Sequence, residues 1–169
     1  MTEPEAFTFA DDGAVPNSDL PMLLYRGAVP ADAVAIEARF ASNGWPPAWR
    51  NGVHPFHHFH STAHEALGVA RGSARVLFGG PLGQEVEVRA GDVVVLPAGT
   101  GHCALGASPD LLIVGAYPEG MAKRLDTRRA RPEEIAEVRR NIAHVPADVP
   151  DPVQGAGGPL SRRWRRDAG

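Results

Sequence analysis

The chain has 169 residues, 43% of them hydrophobic and 22% charged, and its 17 Lys and Arg against 20 Asp and Glu leave a net charge of −3. That balance excludes a disordered chain, a collagen-like repeat and a bulk nucleic-acid-binding field, and the length suits one domain spanning 1–169 with decorated ends. The lone cysteine, the acidic start MTEPEAFTF and the lack of any run near the ~18 apolar residues of a membrane span point to a cytoplasmic chain without disulfide, membrane or nucleic-acid partner.

In chain order, residues 1–49 read as an N-terminal arm and helix. Phe7 and Phe9 alternate weakly, and the apolar run Leu20–Tyr25 suggests an extended arm or edge strand packed on the body. Ala33, Ile36 and Phe40 sit at helical spacing, and Asn43-Gly44 would end a short helix at about 31–42. The segment Trp45–Asn51 (WPPAWRN) reads as a structured loop, because its two prolines remove backbone donors. From 50 to 118 short alternating runs are cut by turn signals: Glu65–Arg71, Ala74–Phe78, Val86–Val88, Val93–Leu96 and Leu111–Tyr117. Such short, evenly punctuated strands make an all-β barrel or sandwich.

Residues 119–169 change character. The stretch 121–140 is basic, and Pro132, Glu133 and Glu134 followed by Ile135, Val138 and Ile142 read as one amphipathic helix. Residues 145–160 are too rich in Pro and Gly for regular structure, and the Arg-rich end is a solvated tail or one pinned by Trp164.

The informative residues are the histidines. Six of seven fall between His54 and His102, and five of those between His54 and His64. In a strand, His58 and His60 would share one face. Glu65 starts the next strand, and His102 follows the flexible Pro97–Gly101. His64 competes with Glu65 for the carboxylate position, but strand neighbours face opposite ways, which favours Glu65. Three imidazoles and a carboxylate make a site for one divalent ion per subunit, Fe(II), Mn(II), Ni(II), Co(II) or Zn(II). By parity His57 and Cys103 face away, Cys103 as a small buried hydrophobe. His54 lines the mouth or sits in a solvent-exposed loop, while Arg50 and Arg71 belong to the surface. Phe56, Leu67, Val69, Val76 and Phe78 are expected to share the ligands' interior.

Two spacings carry a family resemblance. Gly52, His58, His60, Glu65 and Gly72 resemble the first cupin motif, and Gly91, Pro97, Gly99 and His102 the second, with Gly106 standing where that motif has an Asn. The flanks Trp49-Arg50-Asn51-Gly52, His57–Glu65, Pro97–His102, Asp151-Pro152-Val153 and Gly158-Pro159-Leu160 resemble the YjlB-like group of small single-domain bacterial cupins. The resemblance implies a jelly-roll β-barrel, metal ligands at His58, His60, Glu65 and His102, and a homodimer joined through extended arms.

A four-ligand site in an octahedral ion leaves two positions for a small-molecule substrate and a second reactant. The favoured expectation is a metalloenzyme of dioxygenase type acting on a small oxygenated molecule. The alternatives are a metal-dependent isomerase or lyase, and a non-catalytic sugar- or small-molecule-binding protein. As an enzyme it would use Glu65 as fixed ligand or general base, with His54 or His64 relaying protons at the mouth.

Overall fold

The computed structural model describes residues 3–121 and 129–166. The first part of the basic stretch, 122–128, and the end of the Arg-rich tail, 167–169, lie outside the described residues. Nine strands and three helices follow one another among them: β1 (Glu5–Phe7), β2 (Met22–Tyr25), α1 (Ala33–Ser42), β3 (Pro47–Asn51), β4 (Glu65–Arg71), β5 (Ser73–Phe78), β6 (Gln84–Arg89), β7 (Val93–Leu96), β8 (His102–Ala107), β9 (Leu112–Ala116), α2 (Ile135–His144) and α3 (Pro159–Arg163). A six-stranded sheet in the order β1-β2-β7-β4-β9-β3 faces a three-stranded sheet β6-β5-β8, and the strand pairs are antiparallel. This is the all-β jelly roll that the family resemblance implies.

Side-chain alternation divides the core in two. Leu67 and Val69 on β4, Val76 and Phe78 on β5, Val94 and Leu96 on β7 and Ile113 on β9 point between the sheets. Ala66 and Ala70 on β4, Val93 and Val95 on β7 and Val114 on β9 point the other way, onto α1 and the C-terminal segment. Strand β4 is therefore buried on both faces. Helix α1 starts where the Asp32 carboxylate accepts the Ala35 N–H at 2.8 Å, and it lays Ile36 and Phe40 on the sheet. The approach is close: a Cβ on Gly68 would lie 2.5 Å from Ile36.

The N-terminal arm closes one end of the barrel. Asn17, held at φ +56°, donates to the carbonyls of Ala10 and Gly79 and accepts the Gly101 N–H at 3.1 Å. Its own carbonyl passes so near Gly99 that a Cβ there would sit 2.4 Å away, and a Cβ on Gly101 would meet Val15 at 2.5 Å. Gly99 of the second motif and its neighbour Gly101 thus admit the arm. Asp92, beside Gly91, is buried and accepts hydrogen bonds from Arg26 and from the amides of Gly27 and Arg89, which ties β2 to the turn before β7.

The C-terminal segment seals the outer core. Asp151 has no exposed surface; one carboxylate oxygen accepts the Val153 and Gln154 amides, the other the Leu160 amide and the Tyr25 hydroxyl. A Cβ on Gly158 would strike that carboxylate. Trp164 is buried and its indole donates to the Pro21 carbonyl at 2.8 Å, so the tail is pinned as its sequence allowed.

In secondary structure the chain departs from the sequence reading in three places. WPPAWRN contains strand β3, not a loop; it lies at the sheet edge with a register shift between Pro47 and Trp49, a place where missing proline donors cost little. His58 and His60 are not in a strand but in the loop 52–64, joined to β8 by one bridge. Pro159 and Leu160 open α3 instead of staying irregular, with Pro159 in its first turn where no N–H is needed.

Candidate metal centre

The loop from β3 to β4 is stitched to the segment before β8 by its backbone. The His58 N–H donates to the His102 carbonyl at 3.2 Å, the His102 N–H donates back at 2.9 Å, and the Gly99 N–H reaches the His60 carbonyl at 2.7 Å. These bonds extend the chain locally, so His58 and His60 turn inward together although no strand contains them. Ring centroids are 4.0 Å apart for His58 and His102, 5.7 Å for His60 and His102, and 6.0 Å for His58 and His60. One donor nitrogen from each ring lies within 4.8 Å of the others, and all three residues are buried. Three histidines so placed can hold a metal ion.

Glu65, the first residue of β4, points into the same space. Its Oε1 lies 3.3 Å from His102 Nε2 and its Oε2 3.5 Å from His60 Nε2. Burial raises its pKa, but hydrogen bonds and positive charge from His102 and His60 outweigh it and hold the carboxylate below its ordinary range. Burial, with His102 close by, pushes His58 down to about 3, so its ring is neutral at physiological pH.

Tautomers complete the donor set. His58 Nδ1 is 2.9 Å from the Phe56 carbonyl and His102 Nδ1 is 3.1 Å from the Thr100 carbonyl. A carbonyl only accepts, so Nδ1 carries hydrogen in both rings and a neutral ring offers its lone pair at Nε2. Where His102 is neutral, that lone pair faces the Glu65 carboxylate, acceptor against acceptor; the hydrogen bond and charge that hold Glu65 down belong to the protonated ring. A proton or a cation between them relieves the repulsion, and imidazole nitrogen with carboxylate oxygen, without thiolate, fits a divalent transition metal.

These groups line a cavity of about 70 Å³ together with Trp49, Val53, His54, Leu67 and Tyr117. His54 is exposed at its mouth, where its ring stacks on Phe56 at 4.8 Å and meets His58 edge-on at 5.1 Å. Phe56, expected inside, is 48% exposed; the chain bends at Pro55-Phe56, so counting strand parity back from His58 fails there.

His64 is not at the mouth, where a relay was expected. It is buried on the opposite side of the chain: its Nδ1 accepts the Ala98 N–H at 2.9 Å, its Nε2 donates to the Pro146 carbonyl at 2.8 Å, and it packs on Trp164. Parity correctly separates it from Glu65. Burial pushes its pKa down to about 4. His57 is half-buried and Cys103 is buried, its thiol pushed up by burial; neither lines the cavity. Arg50 is on the surface, paired with Glu37, and Arg71 is exposed.

Two residues at the site carry no cue in the local sequence. The Tyr117 hydroxyl accepts the Trp49 indole N–H at 3.0 Å and lines the cavity with Glu65; burial and the Glu65 charge push its pKa up. Only register reveals it: β4 and β9 pair Leu67 with Gly115, and continuing that ladder sets Tyr117 opposite Glu65.

Fold and site together define a small β-barrel with three buried histidines that could hold a metal, and residues 50–124 match the cupin family. The chain is also 37% identical, over 163 residues, to the uncharacterized protein YjlB of Bacillus subtilis (strain 168), covering 96% of this chain and 97% of that one. The chain belongs to the cupin family.

Proposed function

We propose that the chain binds one divalent transition metal per subunit through His58, His60, Glu65 and His102, and that it is a metalloenzyme carrying out dioxygenase-type oxidation of a small oxygenated molecule. The observation behind this reading is the cluster of three buried imidazole donors within 4.8 Å, with both Glu65 oxygens 3.3–3.5 Å from two of them, at the base of a cavity reached past His54. A divalent metal held there supplies Lewis acidity and, as Fe(II), redox chemistry.

The chain's own residues have separable tasks in this reading. Glu65 offsets one of the two positive charges. Leu67 and Val53 keep bulk water from the cavity, which strengthens every electrostatic interaction inside it. The cavity is about the size of two waters, so it takes only the oxygen-bearing end of a substrate. The remainder lies at the rim formed by His54 and Phe56, where the His54 imidazole is exposed to solvent.

The test is elemental analysis of protein purified under nitrogen, followed by measurement of metal-dependent oxygen consumption with small hydroxy and keto acids and catechols. Stoichiometric metal with substrate-dependent oxygen uptake supports the reading. Stoichiometric metal without oxygen uptake overturns the dioxygenase part and transfers the site to isomerase or lyase chemistry, or to non-catalytic binding.

A further inference from the structure

We infer that Tyr117 and Trp49 are positioning residues that fix the Glu65 carboxylate for the ion, an inference that rests on the metal-centre reading above. An indole N–H can only donate, so the 3.0 Å bond from Trp49 Nε1 makes the Tyr117 oxygen an acceptor. The single hydroxyl hydrogen is then left for another acceptor, and the carboxylate across from Tyr117 in the β4–β9 register, lining the same cavity, is that of Glu65. The direction of that hydrogen is set by Trp49, not by free rotation of the hydroxyl.

Trp49 is itself held by the sheet. β3 and β9 pair Trp49 with Gly115, and the indole lies flat over that glycine: a Cβ on Gly115 would come within 2.0 Å of the ring. Gly115 is also the cross-strand partner of Leu67, two residues beyond Glu65 on β4. Contacts run from Gly115 through Trp49 to Tyr117, and the β4–β9 register sets Tyr117 across from Glu65, so the series spans three adjacent strands and reaches the carboxylate's cavity. The edge-on packing of His60 and Tyr117 rings, centroids 6.0 Å apart at 86°, holds the phenol against a second member of the cluster. Each link uses a backbone-anchored position, so the carboxylate is oriented before an ion arrives. Partners of this kind commonly change metal affinity by about 10–100-fold when removed.

The experiment titrates metal-free protein with Co(II) against a chelating dye and records the visible spectrum, which reports the number and arrangement of ligands. Wild type is expected to bind one Co(II). Tyr117→Phe is expected to weaken binding by about tenfold or more and to alter the visible bands. Trp49→Phe should act in the same direction by a smaller factor, and should add nothing once Tyr117 is Phe, because its effect passes through the hydroxyl. A residue serving packing alone would change thermal stability while leaving the spectrum as in wild type. Tyr117→Phe binding Co(II) within twofold of wild type, with the same spectrum, overturns the inference but leaves the metal centre standing. Wild type that binds no Co(II) overturns the metal-centre reading instead. Should Tyr117→Phe fail to fold, Trp49→Phe on the edge strand decides: an unchanged affinity and spectrum overturns the inference, and a weakened, altered one supports it.

Discussion

His58 and His102 stand on different segments, yet each donates its backbone N–H to the other's carbonyl and their rings lie 4.0 Å apart. That single bridge gives a loop the fixed geometry that brings His58 and His102 together. The same bond pattern directs both Nδ1 atoms onto backbone carbonyls, so the two Nε2 atoms face inward without any side-chain partner having to move.

Glu65→Gln preserves the shape of the site and removes its one negative charge. Metal affinity is expected to fall at least about tenfold while the fold is kept, because a neutral amide is a poorer ligand for a hard divalent ion. Isothermal titration with Mn(II) checks this. Equal affinity would remove Glu65 from the ligand set.

Cys103→Ser should retain the metal and any metal-dependent activity, since the thiol is buried beside Leu77 on β5 and lines no part of the cavity. A fully metallated but inactive Cys103→Ser protein would point to thiol chemistry.

His64 makes stability pH-dependent. Its pKa is about 4 in the fold against 6.5 when exposed, so above pH 6.5 it is neutral in both states and contributes no slope. As the pH falls from 6.5 toward 4, the unfolded chain takes a proton that the fold refuses, and up to about 3 kcal/mol of stability is lost. Urea midpoints measured at pH 7 and pH 5 should fall with acid in wild type and fall less in His64→Gln. An identical decline in both proteins would refute this assignment.

Much of the site was legible because cupin spacing and parity act locally. Glu65 and His64 are neighbours, and alternation alone sends one side chain into the histidine cavity and the other to its opposite side. The i, i+2 spacing of His58 and His60 led to the correct face for a reason other than a strand, since an extended loop shares the strand's parity. What stayed hidden depends on pairing between distant segments. WPPAWRN becomes a strand only because β9 offers it an edge, and Tyr117 becomes a site residue only because the β4–β9 register sets it across from Glu65. Phe56 shows the reverse error: parity was carried through a bend where it no longer holds.

Asp151→Asn tests the C-terminal knot. An amide nitrogen must then face two donors, either the Val153 and Gln154 amides or the Leu160 amide and the Tyr25 hydroxyl. The expected loss is about 2–4 kcal/mol by urea denaturation, with metal content unchanged because the knot lies on the outer face of the sheet. A loss below about 0.5 kcal/mol would mean that the tail docks without it.

The central claim is tested most directly by the metal content of His58→Ala/His102→Ala protein, purified under nitrogen beside wild type and measured by elemental analysis. Close to one divalent transition metal per chain is expected in wild type and close to none in the variant, with far-UV circular dichroism showing that both remain folded. A folded variant that still carries about one metal per chain would contradict the account.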